Sequence, residues 1–195
     1  LLEAGIGYMI WESAAYFATG IIPGPLGTAH LLSAPYQAFA TRDGYVMVGA
    51  PNQSNWERLC NALDRTDLLD DSRFKTNADR TLHREELAQT LQETFSDKST
   101  SLILESLVEA GVPAGPVNDM SEVYKDMQVK ARNMVVELDH PIAGTTRNIG
   151  LPVKLSETPG KIDLPAPLLG QHTDEVLTEF GFSRHEVKAL RRSQV

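Results

Sequence analysis

The 195-residue chain is 42% hydrophobic and 23% charged with a formal net charge of −8, an ordinary globular composition able to bury one sizeable core or two modest ones. The acidic balance, with no basic run and no aromatic-basic stripe, argues against nucleic-acid binding as the main task. A single cysteine, Cys60, excludes an intrachain disulfide framework and fits a reducing compartment, the cytoplasm or, in a eukaryote, the mitochondrion.

Leu1 to Phe17 reads as a helix already under way, with no initiator Met and no capping Ser, Thr, Asp or Asn before it. Leu2, Ile6, Met9 and Phe17 follow helical spacing while Tyr8 and Trp11 make other faces apolar, the pattern of a helix buried on several sides. Such a helix needs a partner surface. The segment to Ile22 approaches bilayer length, but Glu3 and Glu12 would each cost roughly 2.5–3.5 kcal/mol at a membrane-helix centre, so no membrane partner is expected.

Three Gly and two Pro between Thr19 and Gly27 suit a linker. Tyr36–Thr41 and Tyr45–Gly49 flank Arg42-Asp43-Gly44 and predict a hairpin in which Asp-Gly supplies a positive φ. Trp56, Leu59, Cys60 and Leu63 predict a helix over 54–63 after a turn at 51–53. Further helices are predicted over 78–95, on Leu82, Leu87, Leu91 and Phe95, and over 99–110, on Leu102, Ile103, Leu107 and Ala110, closed by Gly111.

Val112–Val117 is too proline-rich for a central strand and reads as an edge or connector, followed by a helix capped by Asn118 or Ser121. Strands over 133–138 and 145–149 flank a turn at His140–Gly144, which together predict a small mixed sheet. Residues 151–170 read as a return linker before two terminal helices, one over 173–180 and one begun by a Ser183/Glu186 capping box.

Little here is a motif by itself. None of His30, His83, His140, His172 and His185 sits at metal-ligand spacing with a Cys or carboxylate, so no metal site is expected. Neither a nucleophile elbow nor a phosphate loop of Walker type occurs. Arg42, Lys75, Arg80, Arg84, Lys125, Lys130 and Arg132 read as a solvated surface, and Gly170–Glu175 as the start of a helix capped by Thr173 or Asp174. Pro51-Asn52-Gln53, between a strand and a helix, is where α/β proteins aim polar groups at a ligand, and turn formation explains it equally. His30 and Tyr36 flank the first strand, where they could reach a cleft.

Taken in order, Gly27-Thr-Ala-His30, Pro35-Tyr36, Asp43-Gly44-Tyr45-Val46, Trp56, Arg73-Phe74, Arg80, Gly111-Val-Pro113, Pro116-Val117, His140-Pro141, Gly150-Leu-Pro152, Pro165 to Pro167 and Leu169-Gly-Gln-His-Thr173 resemble the family III CoA-transferases, which include the α-methylacyl-CoA racemases. The resemblance implies an α/β enzyme with a Rossmann-like large domain, a smaller α+β domain and an interlocked homodimer. On this chain it implies large-domain helix and linker at 1–25, the small domain at 26–154, and return linker with large-domain helices at 155–195. Coenzyme A is then a substrate rather than a cofactor, with acyl-CoA and carboxylates as partners. The nucleophilic aspartate would lie upstream of Leu1, leaving this chain alone inactive.

Substrate-binding roles fall to His30, Tyr36, Asn52 and Gln53, with no metal. By the resemblance Asn52 stands where the racemases carry a glutamate, and an amide cannot shuttle a proton, which favours CoA transfer. Pro51-Asn-Gln-Ser-Asn55 lacks the glycines of the formyl-CoA:oxalate branch, and the motifs look most similar to the succinate-hydroxymethylglutarate branch. The alternatives are a racemase-like enzyme and a non-catalytic fragment that only folds or dimerises.

Overall fold

The computed structural model describes residues 1–193 and has two units, Leu1–Val117 and Asn118 onward. Helices and small antiparallel sheets make a mixed α/β structure. The first apolar segment is not one helix. It breaks at Met9 into α1 (Leu2–Tyr8) and α2 (Ile10–Thr19), and Gly20, at φ 71°, ends α2 with its N–H on Tyr16 O. Neither helix buries a residue: Leu2, Ile6, Tyr8, Ile10, Trp11 and Phe17 all stay exposed. The apolar core of this unit is built from residue 34 onward, and α1 and α2 take no part in it.

That core rests on the hairpin β1 (Tyr36–Ala40) and β2 (Tyr45–Gly49), with Tyr36 opposite Gly49 and Phe39 opposite Val46. Alternation sends Phe39, Val46 and Val48 into the core, to which α3 (Gln53–Ala62) contributes Trp56, Leu59 and Cys60. The turn differs from expectation. Gly44 does not take a positive φ; a Cβ there would press on Thr100 Oγ1 at 3.2 Å.

Asp43 Oδ1 instead accepts the Thr100 N–H at 2.7 Å and its hydroxyl at 2.9 Å. These donors hold its carboxyl below the usual range, so its contribution is present above the unfolded pKa and is lost as pH falls through the folded one. Asp43→Asn is expected to lower the melting temperature at neutral pH, and the gap to the unsubstituted protein should close below about pH 4. Melting curves recorded across pH check this, and a gap independent of pH would reject it.

After α4 (Asp67–Asp70) and a 3₁₀ turn (Ser72–Phe74), the predicted helix over 78–95 is split at His83 into α5 (Asn77–Leu82) and α6 (Arg84–Ser96). The break puts Leu82 out of register with the core at 81% exposed, while Leu87, Leu91 and Phe95 are buried as expected. The Phe95 ring stacks on Phe39 at 4.9 Å. From α6, Gln92 Nε2 donates to Ala40 O and its Oε1 accepts the Ala40 N–H, covering the open edge of β1. In α7 (Thr100–Glu109), Ile103 and Leu107 are buried and Leu102 faces out; Gly111, at φ 69°, follows its end. β3 (Ala114–Pro116) then pairs with β2 as the edge expected.

In the second unit, Asp119 rather than Asn118 or Ser121 caps α8 (Met120–Val123), and Asp126 caps α9 (Met127–Ala131). β4 (Val135–His140) and β5 (Gly144–Ile149) pair only with each other, so both sheets are antiparallel and the mixed sheet does not form. Extended chain leads to α10 (Thr173–Glu179) and α11 (Arg184–Arg192). The Ser183/Glu186 capping box is present as predicted. Neither Thr173 nor Asp174 caps α10: the N-cap is His172, without a side-chain cap bond, and Asp174 pairs with Arg191 at 2.6 Å. Among the described residues no helix is long and apolar enough to cross a membrane, and no group of three His, Cys, Asp or Glu side chains could hold a metal ion.

Candidate functional site

The segment between α2 and β1 is held down by one row of polar side chains. Asn77, Arg80 and Arg84 fall at i, i+3 and i+7, which places them on one side of the α5–α6 run. Asn77 Nδ2 donates to Leu32 O and its Oδ1 accepts the Ala34 N–H. Arg80 Nε donates to Ala34 O at 2.8 Å, and Arg84 Nη2 to Leu31 O at 2.6 Å. Three helical side chains thus fix the backbone that carries His30 and enters β1 at Tyr36.

Arg80 is fully buried, which corrects the solvated surface expected for it. Its Nη1 also donates to Phe74 O and to Gln53 Oε1, and its guanidinium lies 5.0 Å over the Trp56 ring. No carboxylate pairs with it among the described salt bridges. Burial pulls its pKa below the usual guanidinium value, and it stays charged. The row was written in the sequence as Asn-x-x-Arg-x-x-x-Arg; without the loop it grips, it reads as surface charge.

His30 and Tyr36 come together. Their rings stack at 5.2 Å and 8° between planes, and the His30 N–H donates to Tyr36 O. His30 Nδ1 accepts the Leu32 N–H at 3.1 Å, which leaves Nε2–H as the ring's donor. Both rings line a cleft of about 340 Å³ with Glu12, Thr28 and Met47. Tyr36 and Met47 also border a second cavity of about 370 Å³, completed by Gly49, Pro51 and Pro113 to Gly115. These two side chains form the ridge between a polar cleft and an apolar one.

Asn52 and Gln53 line neither cavity. Asn52 is the N-cap of α3, its Oδ1 accepting the Asn55 N–H at 2.8 Å and leaving Nδ2 as a donor. Both ends of the Gln53 amide are engaged, Oε1 by Arg80 and Nε2 with Glu57. Through Arg80 the two halves are linked: one guanidinium holds Gln53 and the carbonyl two residues before Tyr36. Cys60 is buried and its thiol is pushed up to about 12 by desolvation, so it carries no nucleophile at neutral pH.

Sequence reasoning missed the apolar cavity. Its signal was present in the alternation: Tyr45, Met47 and Gly49 occupy the face of β2 away from the core and include no charge.

Comparison with known proteins agrees with this chain's motifs. The model of CoA-transferase family III matches residues 1–173. A human succinyl-CoA:glutarate CoA-transferase is 42% identical over 153 residues, covering 78% of this chain and 35% of that protein. A succinate–glutarate CoA-transferase of Agrobacterium fabrum is 33% identical over 180 residues, covering 92% and 45%. The crystal structure of a CAIB/BAIF family protein from Brucella suis superposes with a TM-score of 0.71 at 31% identity, covering 89% of this chain and 44% of that one. The chain spans less than half the length of these relatives.

Proposed function

The chain belongs to CoA-transferase family III, and we propose that it forms part of an enzyme that moves CoA from an acyl-CoA, such as succinyl-CoA, to a carboxylic acid. The observation that carries this reading is the His30–Tyr36 stack lining a cleft. His30 Nε2–H and the Tyr36 hydroxyl are donors suited to a carboxylate or thioester oxygen. Asn52 Nδ2 offers a further donor, and Gln53, engaged by Arg80, acts by fixing the start of α3.

The nucleophile of this reaction is an aspartate supplied from the part of the family's length that this chain does not cover. Its carboxylate attacks the thioester carbonyl and expels CoA thiolate, giving a mixed anhydride. The thiolate returns to the aspartyl carbonyl and releases the acyl group as a carboxylate, leaving an aspartyl-CoA thioester. The acceptor carboxylate repeats these two steps in reverse order, so charge and CoA balance without a cofactor. The chain alone is inactive on this reading. In the whole protein, residues 1–25 and 155–195 pack in a larger domain and two subunits associate; the exposed apolar surface of α1 and α2 supports that packing. Racemisation is disfavoured by Asn52, whose amide cannot serve as a general acid or base.

The test is CoA exchange from succinyl-CoA to a panel of carboxylates by the protein expressed from its complete reading frame. His30→Ala should lower kcat/KM about 10–100-fold, the worth of one hydrogen bond to a charged group. Exchange with none of the carboxylates sinks the proposal.

A further inference from the structure

We infer that the open face of the β1–β2–β3 sheet is a hydrocarbon subsite that takes the methylene portion of the acyl group or acceptor acid, with Gly115 setting its depth. This rests on the CoA-transfer reading and adds the substrate class.

The face away from the core of an antiparallel sheet is ordinarily polar. Here register places Tyr36, Ala38 and Ala40 of β1 with Gly49, Met47 and Tyr45 of β2, and sets Gly115 of β3 opposite Met47. No charged side chain occurs in that set. The cavity on this face, about 370 Å³, lies in the range of small-molecule sites and has Tyr36 as its one polar-tipped wall.

The two glycines of this face differ in what surrounds them. A Cβ at Gly49 would rest in ordinary contact with the Tyr36 ring at 3.5 Å, so Gly49 lets the ring lie close to the strand, whereas a Cβ at Gly115 would meet nothing within 4 Å. The floor beside Gly115 is therefore open and adjustable by a side chain there. A carboxylate in such a pocket would be desolvated without a partner, so the charged end must lie elsewhere. The polar cleft on the other side of the Tyr36–Met47 ridge provides the donors. The arrangement suits acids with a flexible run of methylenes, and oxalate, which has none, gains nothing from it.

Two measurements on the protein from its complete reading frame test the subsite separately from turnover. In the first, the Met47 methyl resonance is followed while hexanoate or oxalate is added. Hexanoate should shift it, oxalate should not, and Gly115→Val should abolish the shift. An unmoved Met47 methyl overturns the subsite even where CoA exchange is observed.

In the second, the ratio of kcat/KM for adipate to that for succinate is compared between variants. Gly115→Val should lower the ratio at least about tenfold, and Met47→Ala should raise it by about fourfold per extra methylene accommodated. Ratios unchanged in both variants overturn the inference. A Gly115→Val protein with lost stability or subunit association and an unchanged ratio also overturns it, by making this face a packing surface. Absence of exchange in the unsubstituted protein overturns the CoA-transfer reading instead.

Discussion

Arg80→Ala is expected to lower the melting temperature by roughly 10 °C and to loosen the His30–Tyr36 stack, although Arg80 touches neither ring. The side chain is fully buried, and its removal leaves a cavity comparable to that of a large core residue, worth about 3–5 kcal/mol. It also strands the carbonyls of Ala34 and Phe74 and the Gln53 amide oxygen, each a loss of about 1–3 kcal/mol where water cannot replace the donor. Against this stands the relief of an uncompensated buried charge, since no carboxylate offsets its desolvation. The hydrogen bonds outweigh that relief here because they run to three separate segments.

Arg80→Met separates these effects. It restores most of the volume and removes the charge, so any remaining loss belongs to the hydrogen bonds and to the stacking on Trp56. Thermal melts report the stability, and the ring-current shifts of His30 and Tyr36 report the site. If Arg80→Met melts with the unsubstituted protein and leaves those shifts in place, the guanidinium does not position the site.

Much of the fold could be read because local chemistry agreed with tertiary structure. The β1–β2 hairpin, the buried side of α3, the glycine after α7 and the capping box of α11 each have a short-range cause. The failures arose where a distant group decided the outcome. Periodicity over 78–95 cannot show that the chain bends at His83 and turns Leu82 outward, where Asn77, Arg80 and Arg84 on either side of the bend bind backbone more than 40 residues away. Nor does Asp43-Gly44 reveal that Thr100, 57 residues away, takes the carboxylate.

The site shows the same division. His30 and Tyr36 stood out by their position at the start of the first strand, and they meet as a stacked pair. Of the apolar cavity beside them, the alternation of β2 shows the uncharged face, while the register that sets Gly115 opposite Met47 comes only with the fold.

Gly150→Ala is expected to open the base of the β4–β5 hairpin. Gly150 is buried, and its N–H donates to Met134 O at 2.9 Å just before β4 begins. A Cβ on Gly150 would lie far inside van der Waals contact with Asn133 O and 3.0 Å from Met134 Cα. These neighbours are backbone, and Asn133 already has a positive φ of 50°, so the strain cannot be relieved by a side-chain rotation. Overpacking of this kind costs about 1–3 kcal/mol and more where the backbone must move.

A two-stranded hairpin is marginal by itself, so a loss of that size is comparable to its whole local stability. The effect should therefore appear as faster amide exchange across 135–149, with little change in the protection of β1, β2 and α3. Gly160→Ala is the matched control, because the atom nearest its added Cβ is Leu151 Cδ1, the far end of a flexible side chain. Equal exchange in the two variants would show that the close crossing at Gly150 yields without cost.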